Sequence, residues 1–180
     1  MCGIVGYVGP KQAMPILLVG LERLKYRGYD SAGIVIGEGG RLATCRSSGR
    51  LRALEEKLNA APLAGSLGIG HTRWATHGPP TEANAHPHGD NAATVAVVHN
   101  GIIENHAALR EHVLAQGRRC LSETDSEVVV QLVEAALEQE ADLETAVRQT
   151  LALVQGASAF VFVSAHAPDR LVAARLGHAG

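Results

Sequence analysis

The sequence lacks the long apolar runs, the charge bias and the paired cysteines that mark several large classes of protein. Its apolar stretches, such as residues 16–21 and 159–163, are far shorter than the roughly 18 residues that a membrane helix needs. The amino terminus has no basic region of the kind that opens a secretory signal. We therefore expect a cytoplasmic protein with no membrane partner.

Charge of one sign is also missing from the chain. Basic residues number 16 and acidic residues 18, the formal net charge is −2, and no block of like charges occurs. A surface that binds nucleic acid needs clustered lysine and arginine, so we predict no nucleic-acid partner. With 46% hydrophobic and 19% charged residues among 180, the composition is that of one globular domain, and small-molecule chemistry fits it better.

Cysteine is scarce, and its spacing excludes two common roles. The three cysteines, Cys2, Cys45 and Cys120, are odd in number and match neither a disulfide framework nor a Cys-x-x-Cys motif. We expect reduced thiols.

Hydrophobic periodicity predicts a mixture of strands and helices. Strands are predicted over residues 4–8, 32–36, 42–46, 67–72, 94–99, 159–163 and 171–174, and helices from 14 to near 27, and over 51–58, 129–137 and 143–154. Gly39-Gly40 predicts a hairpin, Asn100-Gly101 a turn, and residues 75–91 a long loop. Runs of strands beside an adjacent helix pair favour a layered α+β domain over a doubly wound sheet. The residues after 175 resemble a turn awaiting another strand, so we expect a single domain over residues 2–180 that is incomplete at its carboxyl end.

Cys2 is the sharpest chemical signal in the sequence. A cysteine that follows the initiator methionine becomes the first residue when Met1 is excised, which is expected when the second residue is small. Its thiol then lies beside a free α-amine with a reference pKa of about 7.7 to 8.0. Such an amine is partly neutral near pH 7, so it can accept the thiol proton and later return a proton to a leaving amine.

Other interpretations of these residues compete with this one. Free cysteines are usually small buried apolar groups, so the position of Cys2 alone favours a structural role over a nucleophilic one. The glycines at positions 3, 6 and 9 mimic a dinucleotide fingerprint, but that motif requires a complete strand before its first glycine. His71, His77, His86, His88 and His99 invite a zinc interpretation, yet no His-Glu-x-x-His or paired Cys/His spacing supports it. We predict no metal and no cofactor.

Five ordered blocks of sequence resemble the class II glutamine amidotransferases. They are residues 1–6 (Met-Cys-Gly-Ile-Val-Gly), 26–33 (Tyr-Arg-Gly-Tyr-Asp-Ser-Ala-Gly), 71–78 (His-Thr-Arg-Trp-Ala-Thr-His-Gly), 99–105 (His-Asn-Gly-Ile-Ile-Glu-Asn) and 122–127 (Ser-Glu-Thr-Asp-Ser-Glu). This family consists of N-terminal-nucleophile hydrolases with a four-layer αββα fold. The resemblance implies that fold here, together with hydrolysis of L-glutamine through a γ-glutamyl thioester on Cys2.

The resemblance also implies which residues bind the glutamine. Arg73 matches the residue that binds its carboxylate, and a guanidinium suits that role because it makes two parallel charge-assisted hydrogen bonds. Asp125 matches the partner of its ammonium, and Thr76 and His77 match further polar contacts. Taken alone, Asp125 before a helix would more often be an N-cap.

The remaining implied roles concern the reacting amide and its surroundings. The side-chain amide of Asn100 and the backbone N–H of Gly101 match the oxyanion hole, although Asn-Gly without context would be a type I′ turn. Trp74 matches a mobile loop over the glutamine pocket, although a lone tryptophan is more often core. Arg27 matches a supporting position near the nucleophile.

Residues 26–30 and 73–77 resemble the corresponding segments of family members that pass ammonia to fructose 6-phosphate and so make glucosamine 6-phosphate. In those members the acceptor binds to a sugar-isomerase domain that follows the glutaminase, and none of that domain is present here. The full-length protein is expected to be a homo-oligomer. Two alternatives stay open: another member such as the amidophosphoribosyltransferase, whose second block typically reads His-Arg-Gly-Gln-Asp, or a non-catalytic glutamine-binding module.

Overall fold

The computed structural model describes residues 2–74, 78–139 and 142–178. Its strands are β1 (Gly3–Val8), β2 (Ser31–Glu38), β3 (Arg41–Ser48), β4 (Leu67–Arg73), β5 (His88–Gly89), β6 (Val95–Gly101), β7 (Ser158–Ser164) and β8 (Leu171–Leu176). Its α-helices are α1 (Ala13–Leu24), α2 (Leu51–Ala60), α3 (His106–Ala115), α4 (Glu127–Leu137) and α5 (Leu143–Leu151), and a 3-10 turn covers Lys25–Arg27.

The strands form two antiparallel sheets. The first sheet has the order β1-β4-β2-β3 and the second β5-β6-β7-β8. Within the first sheet, β2 and β3 are joined by Gly39 and Gly40, whose φ angles are 56° and 80°. A two-residue turn with positive φ at both positions matches the right-handed twist of a hairpin, which confirms the predicted hairpin.

Three apolar layers hold the sheets and helices together. Side chains from both sheets meet in the middle layer, among them Val35, Ile69 and Val98. On the outer face of the first sheet, α1 and α2 bury residues such as Leu17 and Leu54, and on the outer face of the second sheet α3, α4 and α5 pack around Phe160 and its neighbours. The order helix, sheet, sheet, helix is the predicted four-layer α+β fold.

The structure corrects two predictions. Helix α3 was not predicted, because only Leu109 and Val113 form its buried face and so short a stripe carries little periodic signal. Asn100-Gly101 is not a turn. Both residues continue β6, where they pair with Ala159 and Ser158 of β7, and this pairing outweighs the local turn preference.

The other boundaries lie within a few residues of the predictions. The helix predicted over 143–154 ends at Leu151, and the predicted long loop contains the two-residue strand β5. Within the described residues, no helix is both long and apolar enough to cross a lipid bilayer.

Candidate active site

Cys2 lies at a corner where the two sheets meet. It directly precedes β1, and because β1 pairs with β4 through Gly3 and Thr72, Cys2 faces the carboxyl end of β4. The backbone N–H of Trp74 donates to its thiol, with 3.2 Å between the nitrogen and Sγ. The thiol is only partly buried, so it stays open to a substrate.

Asn100 reaches Cys2 from the second sheet. It lies near the end of β6, and its Nδ2 donates to the backbone oxygen of Cys2 at 3.2 Å. The next residue, Gly101, has a φ of 137°, an angle that residues with a side chain rarely adopt. A Cβ there would lie 2.3 Å from the Ala157 backbone oxygen. The structure therefore brings Asn100 beside Cys2 and explains in steric terms why glycine follows it.

Arg73 and Asp125 are two buried side chains of opposite charge near the thiol. Both are almost fully buried, with 3% and 4% of their surface exposed. Burial lowers the pKa of the Arg73 guanidinium, and its electrostatic interactions with Cys2, Asp125 and Asp30 act in the opposite direction. The thiol thus has a guanidinium and a carboxylate nearby. A guanidinium suits the carboxylate of an amino acid, and a carboxylate suits its ammonium.

The contacts of Asp125 correct its alternative interpretation as an N-cap. Ser126, not Asp125, lies at the N-cap of α4. The Asp125 carboxylate instead accepts the backbone N–H of Ile103 at 2.9 Å and the Ser126 hydroxyl at 3.3 Å. The first bond connects Asp125 to the segment that follows Asn100 and Gly101, so the carboxylate and the Asn100 amide are held by the same stretch of backbone.

The rim of the site is aromatic. Trp74 is 45% exposed and meets Tyr29 edge to face, with 5.3 Å between the ring centroids. Between Arg27 and Tyr29, Gly28 packs so tightly on the backbone of Arg73 that a Cβ would lie 2.7 Å from the Arg73 carbonyl carbon. Arg27 itself lies 5.9 Å from the centre of the Tyr26 ring. A supporting role for Arg27 and a lid role for Trp74 remain predictions.

The predicted contacts of Thr76 and His77 lie outside the described residues. Of the predicted site residues within them, Cys2, Arg73, Asn100 and Asp125 converge on one corner.

A cluster of buried histidines was not predicted as part of this corner. His71 contacts Asn100. The ring centroid of His86 lies 4.4 Å from that of His71 and 4.6 Å from that of His88. His71 and Arg73 are two residues apart on β4 and so share one face of the strand, which is the signal that could have placed His71 in the site. Among the described residues, no group of three histidine, cysteine or acidic side chains is arranged to hold a metal ion.

His99 connects the start of α4 to β7 behind the site. Its Nδ1 lies 2.8 Å from the Ser126 hydroxyl and its Nε2 3.0 Å from the Ser158 hydroxyl. Because the Ser126 hydroxyl donates to Asp125, it accepts from His99, so His99 carries its proton on Nδ1 and accepts from Ser158.

Comparison with known sequences identifies the kind of domain that carries this corner. The pattern described as Glutamine amidotransferase domain matches residues 71–178, which is more than half of the chain. The chain belongs to this family. Two relatives named glutamine--fructose-6-phosphate aminotransferase (isomerizing) are similar over nearly the whole amidotransferase chain: that of Streptomyces coelicolor is 54% identical over 97% of it and that of Pseudomonas aeruginosa 52% identical over 98%.

The amidotransferase chain spans about 29% of the length of these relatives, which it matches in their amino-terminal part. Solved structures agree on the fold. Glutamine phosphoribosylpyrophosphate amidotransferase from B. subtilis, complexed with ADP and GMP, superimposes with a TM-score of 0.77 at 26% identity, over 92% of this chain and 35% of that one. A structure described as the allosteric regulatory enzyme of purine biosynthesis gives 0.79, also at 26% identity, over 92% and 36%. The predicted family and fold class are confirmed.

Proposed function

We propose that this domain hydrolyses L-glutamine to L-glutamate and ammonia through a γ-glutamyl thioester on Cys2, after removal of Met1. The observation that carries the proposal is the convergence of a thiol, a side-chain amide donor and a buried pair of opposite charges on one corner. A thiol nucleophile beside a preorganised donor is what acyl transfer requires. The charged pair supplies the recognition of an amino acid.

In the proposed binding mode, Arg73 pairs with the α-carboxylate and Asp125 with the α-ammonium of glutamine. Asp125 has the capacity for this, because its two oxygens have four lone-pair sites and accept hydrogen bonds from two donors among the described residues, the Ile103 N–H and the Ser126 hydroxyl. Thr76 and His77 add polar contacts, Arg27 supports the nucleophile, and Trp74 covers the pocket from water. With its two charged ends held, the glutamine side chain extends toward Cys2.

The chemical steps follow from the two groups of Cys2. The free α-amine takes the thiol proton, and the thiolate attacks the amide carbon of glutamine. Negative charge grows on the former carbonyl oxygen, which Asn100 Nδ2 and the Gly101 N–H stabilise. The intermediate collapses as the α-ammonium gives its proton to the leaving nitrogen, which departs as ammonia. Water then attacks the thioester, the α-amine accepts its proton, and glutamate and the free thiol are released.

The experiment is a glutaminase assay on the purified chain combined with an intact-mass measurement. Cys2→Ala should abolish glutamate formation, whereas Cys45→Ala and Cys120→Ala, which remove the other two thiols, should leave it in place. Active protein should have lost Met1. Turnover by Cys2→Ala, or by material that retains Met1, would contradict the thioester mechanism, and glutamine binding without turnover would favour the non-catalytic module.

We propose fructose 6-phosphate as the acceptor of the ammonia, on a sugar-isomerase domain that lies outside this chain. The identities of 54% and 52% to relatives that carry that activity in their name support this choice. To test it, residues 1–178 would replace the matching amino-terminal part of the P. aeruginosa relative. The hybrid should form glucosamine 6-phosphate from glutamine and fructose 6-phosphate. Glutamate without amino sugar would point to a different acceptor, and assembly into a homo-oligomer is also a prediction for the longer protein.

A further inference from the structure

An oxyanion hole built from Asn100 works in only one of two orientations of its side-chain amide. The nitrogen and oxygen of a carboxamide are nearly equal in size, so turning the group by 180° would aim a carbonyl oxygen at the developing negative charge. Packing alone does not distinguish the two orientations. The choice depends on the hydrogen-bonding groups at each end of the amide.

One end of the amide faces His71, which has no exposed surface. The Nε2 atom of His71 lies 3.1 Å from the backbone oxygen of His99 and 2.9 Å from the Asn100 side-chain oxygen. A backbone oxygen can only accept, so Nε2 must carry the proton. The other ring nitrogen, Nδ1, is buried with no hydrogen-bond partner among the described residues, and a proton there would have no acceptor.

An N–H at Nε2 requires an oxygen opposite it, so Oδ1 of Asn100 faces His71 and Nδ2 faces the nucleophile. The other end of the amide requires the same orientation, because the backbone oxygen of Cys2 lies 3.2 Å from Nδ2 and also needs a donor. In the turned orientation, two oxygens would oppose each other at Cys2. The amide is thus fixed by a donor on one side and an acceptor on the other.

We propose that His71 is a positioning residue for glutamine hydrolysis: its Nε2–H holds the Asn100 amide so that Nδ2 is presented to the oxyanion. This inference rests on the proposed function. Burial lowers the pKa of His71 to about 4, so near pH 7 its ring is neutral with a single proton. The imidazole therefore acts as a fixed donor and takes no part in proton transfer.

Kinetics of variants separate this role from a structural one. His71→Phe removes the donor and keeps a ring, and it should lower kcat roughly 10- to 100-fold, less than the roughly 100- to 1,000-fold expected for losing an oxyanion donor outright by Asn100→Ala. KM for glutamine should change little, because the oxyanion exists only in the transition state. His71→Gln, which can place an amide N–H where Nε2 lies, should recover most of the rate.

The double variant gives the sharpest comparison. If His71 acts through Asn100, adding His71→Phe to Asn100→Ala should lower kcat by less than about threefold further. The matched control is His86→Phe, which removes a second buried imidazole, 5% exposed, whose two nitrogens have no partner among the described residues. Its kcat should stay within about threefold of the unmodified chain. Effects of His71→Phe and Asn100→Ala that multiply, or a rate unchanged in His71→Phe, would overturn the proposal.

The tautomer can be read without any turnover. In the chain labelled with ¹⁵N at histidine, His71 should show a protonated Nε2 and a bare Nδ1 near pH 7. A proton on Nδ1 would overturn the proposal even if His71→Phe failed to fold. Absence of glutaminase activity in the unmodified chain together with the expected tautomer would instead count against the proposed function alone.

Discussion

Lowering the pH from 7 to 5 protonates histidines in an unfolded chain, and three buried histidines resist that protonation in the folded domain. Burial is the main cause of the lowered pKa of His71, His86 and His88. For His71 the pKa falls from 6.5 to about 4. Between these two values the unfolded state binds a proton that the folded state does not, so acid favours unfolding.

The sign and size follow from this difference. The stability from a neutral His71 is present in full above pH 6.5 and is lost as the pH falls toward 4. At pH 5 the loss from His71 alone is about 2 kcal/mol, and His86 and His88 act in the same direction. Glu134 opposes them, because burial raises its pKa and the folded state accepts its proton more readily. Against a typical total of 5–15 kcal/mol, about 2 kcal/mol is a large part.

Urea unfolding followed by far-ultraviolet circular dichroism at pH 7 and pH 5 measures the effect. Fluorescence is a weaker probe, because the single tryptophan, Trp74, is 45% exposed. With an m-value of about 2 kcal/mol/M, the midpoint should fall by about 1 M or more at pH 5. His86→Phe should reduce the fall, since one of the three histidines is gone. A midpoint at pH 5 equal to or above that at pH 7 would refute the reasoning.

Two further predictions concern packing around the site. Gly101→Ala should cost roughly 1–3 kcal/mol in backbone strain and should reduce glutaminase activity, because its Cβ would lie 2.3 Å from the Ala157 oxygen at the end of the β6–β7 pair. Gly39→Ala is the control for this variant, since it shares a positive φ but has no atom within 4 Å of the new Cβ, and activity equal in both variants would contradict the clash. Phe160→Ala should lower the free energy of unfolding by roughly 3–5 kcal/mol in urea titrations, because Phe160 is 1% exposed and stacks on His99 at 4.5 Å. A loss below about 1 kcal/mol would show that the core around His99 closes over the gap.

Local sequence determined most of the secondary structure and pointed to the proposed nucleophile. A helical stripe of leucines predicted α1, alternation and β-branched residues predicted the strands, and Gly39-Gly40 predicted a hairpin, because each signal acts between neighbours in the chain. The position of Cys2 after Met1, together with the motif residues elsewhere in the chain, singled it out as the proposed nucleophile. The local signals were weakest where few residues carry them, as in α3 with its two buried side chains.

The positions of Asn100, Asp125 and His71 were decided by contacts between residues far apart in sequence. Asn100-Gly101 reads locally as a turn, yet pairing with Ala159 and Ser158 makes it strand and aims its amide at Cys2. His71 and Asn100 lie on strands of different sheets, and only the packing of one sheet on the other brings their side chains within 2.9 Å. The sequence alone therefore determined which chemical groups are present and which elements carry them. The tertiary structure decided how those groups meet, because strand register and the contact between sheets arise from long-range burial that no local pattern encodes.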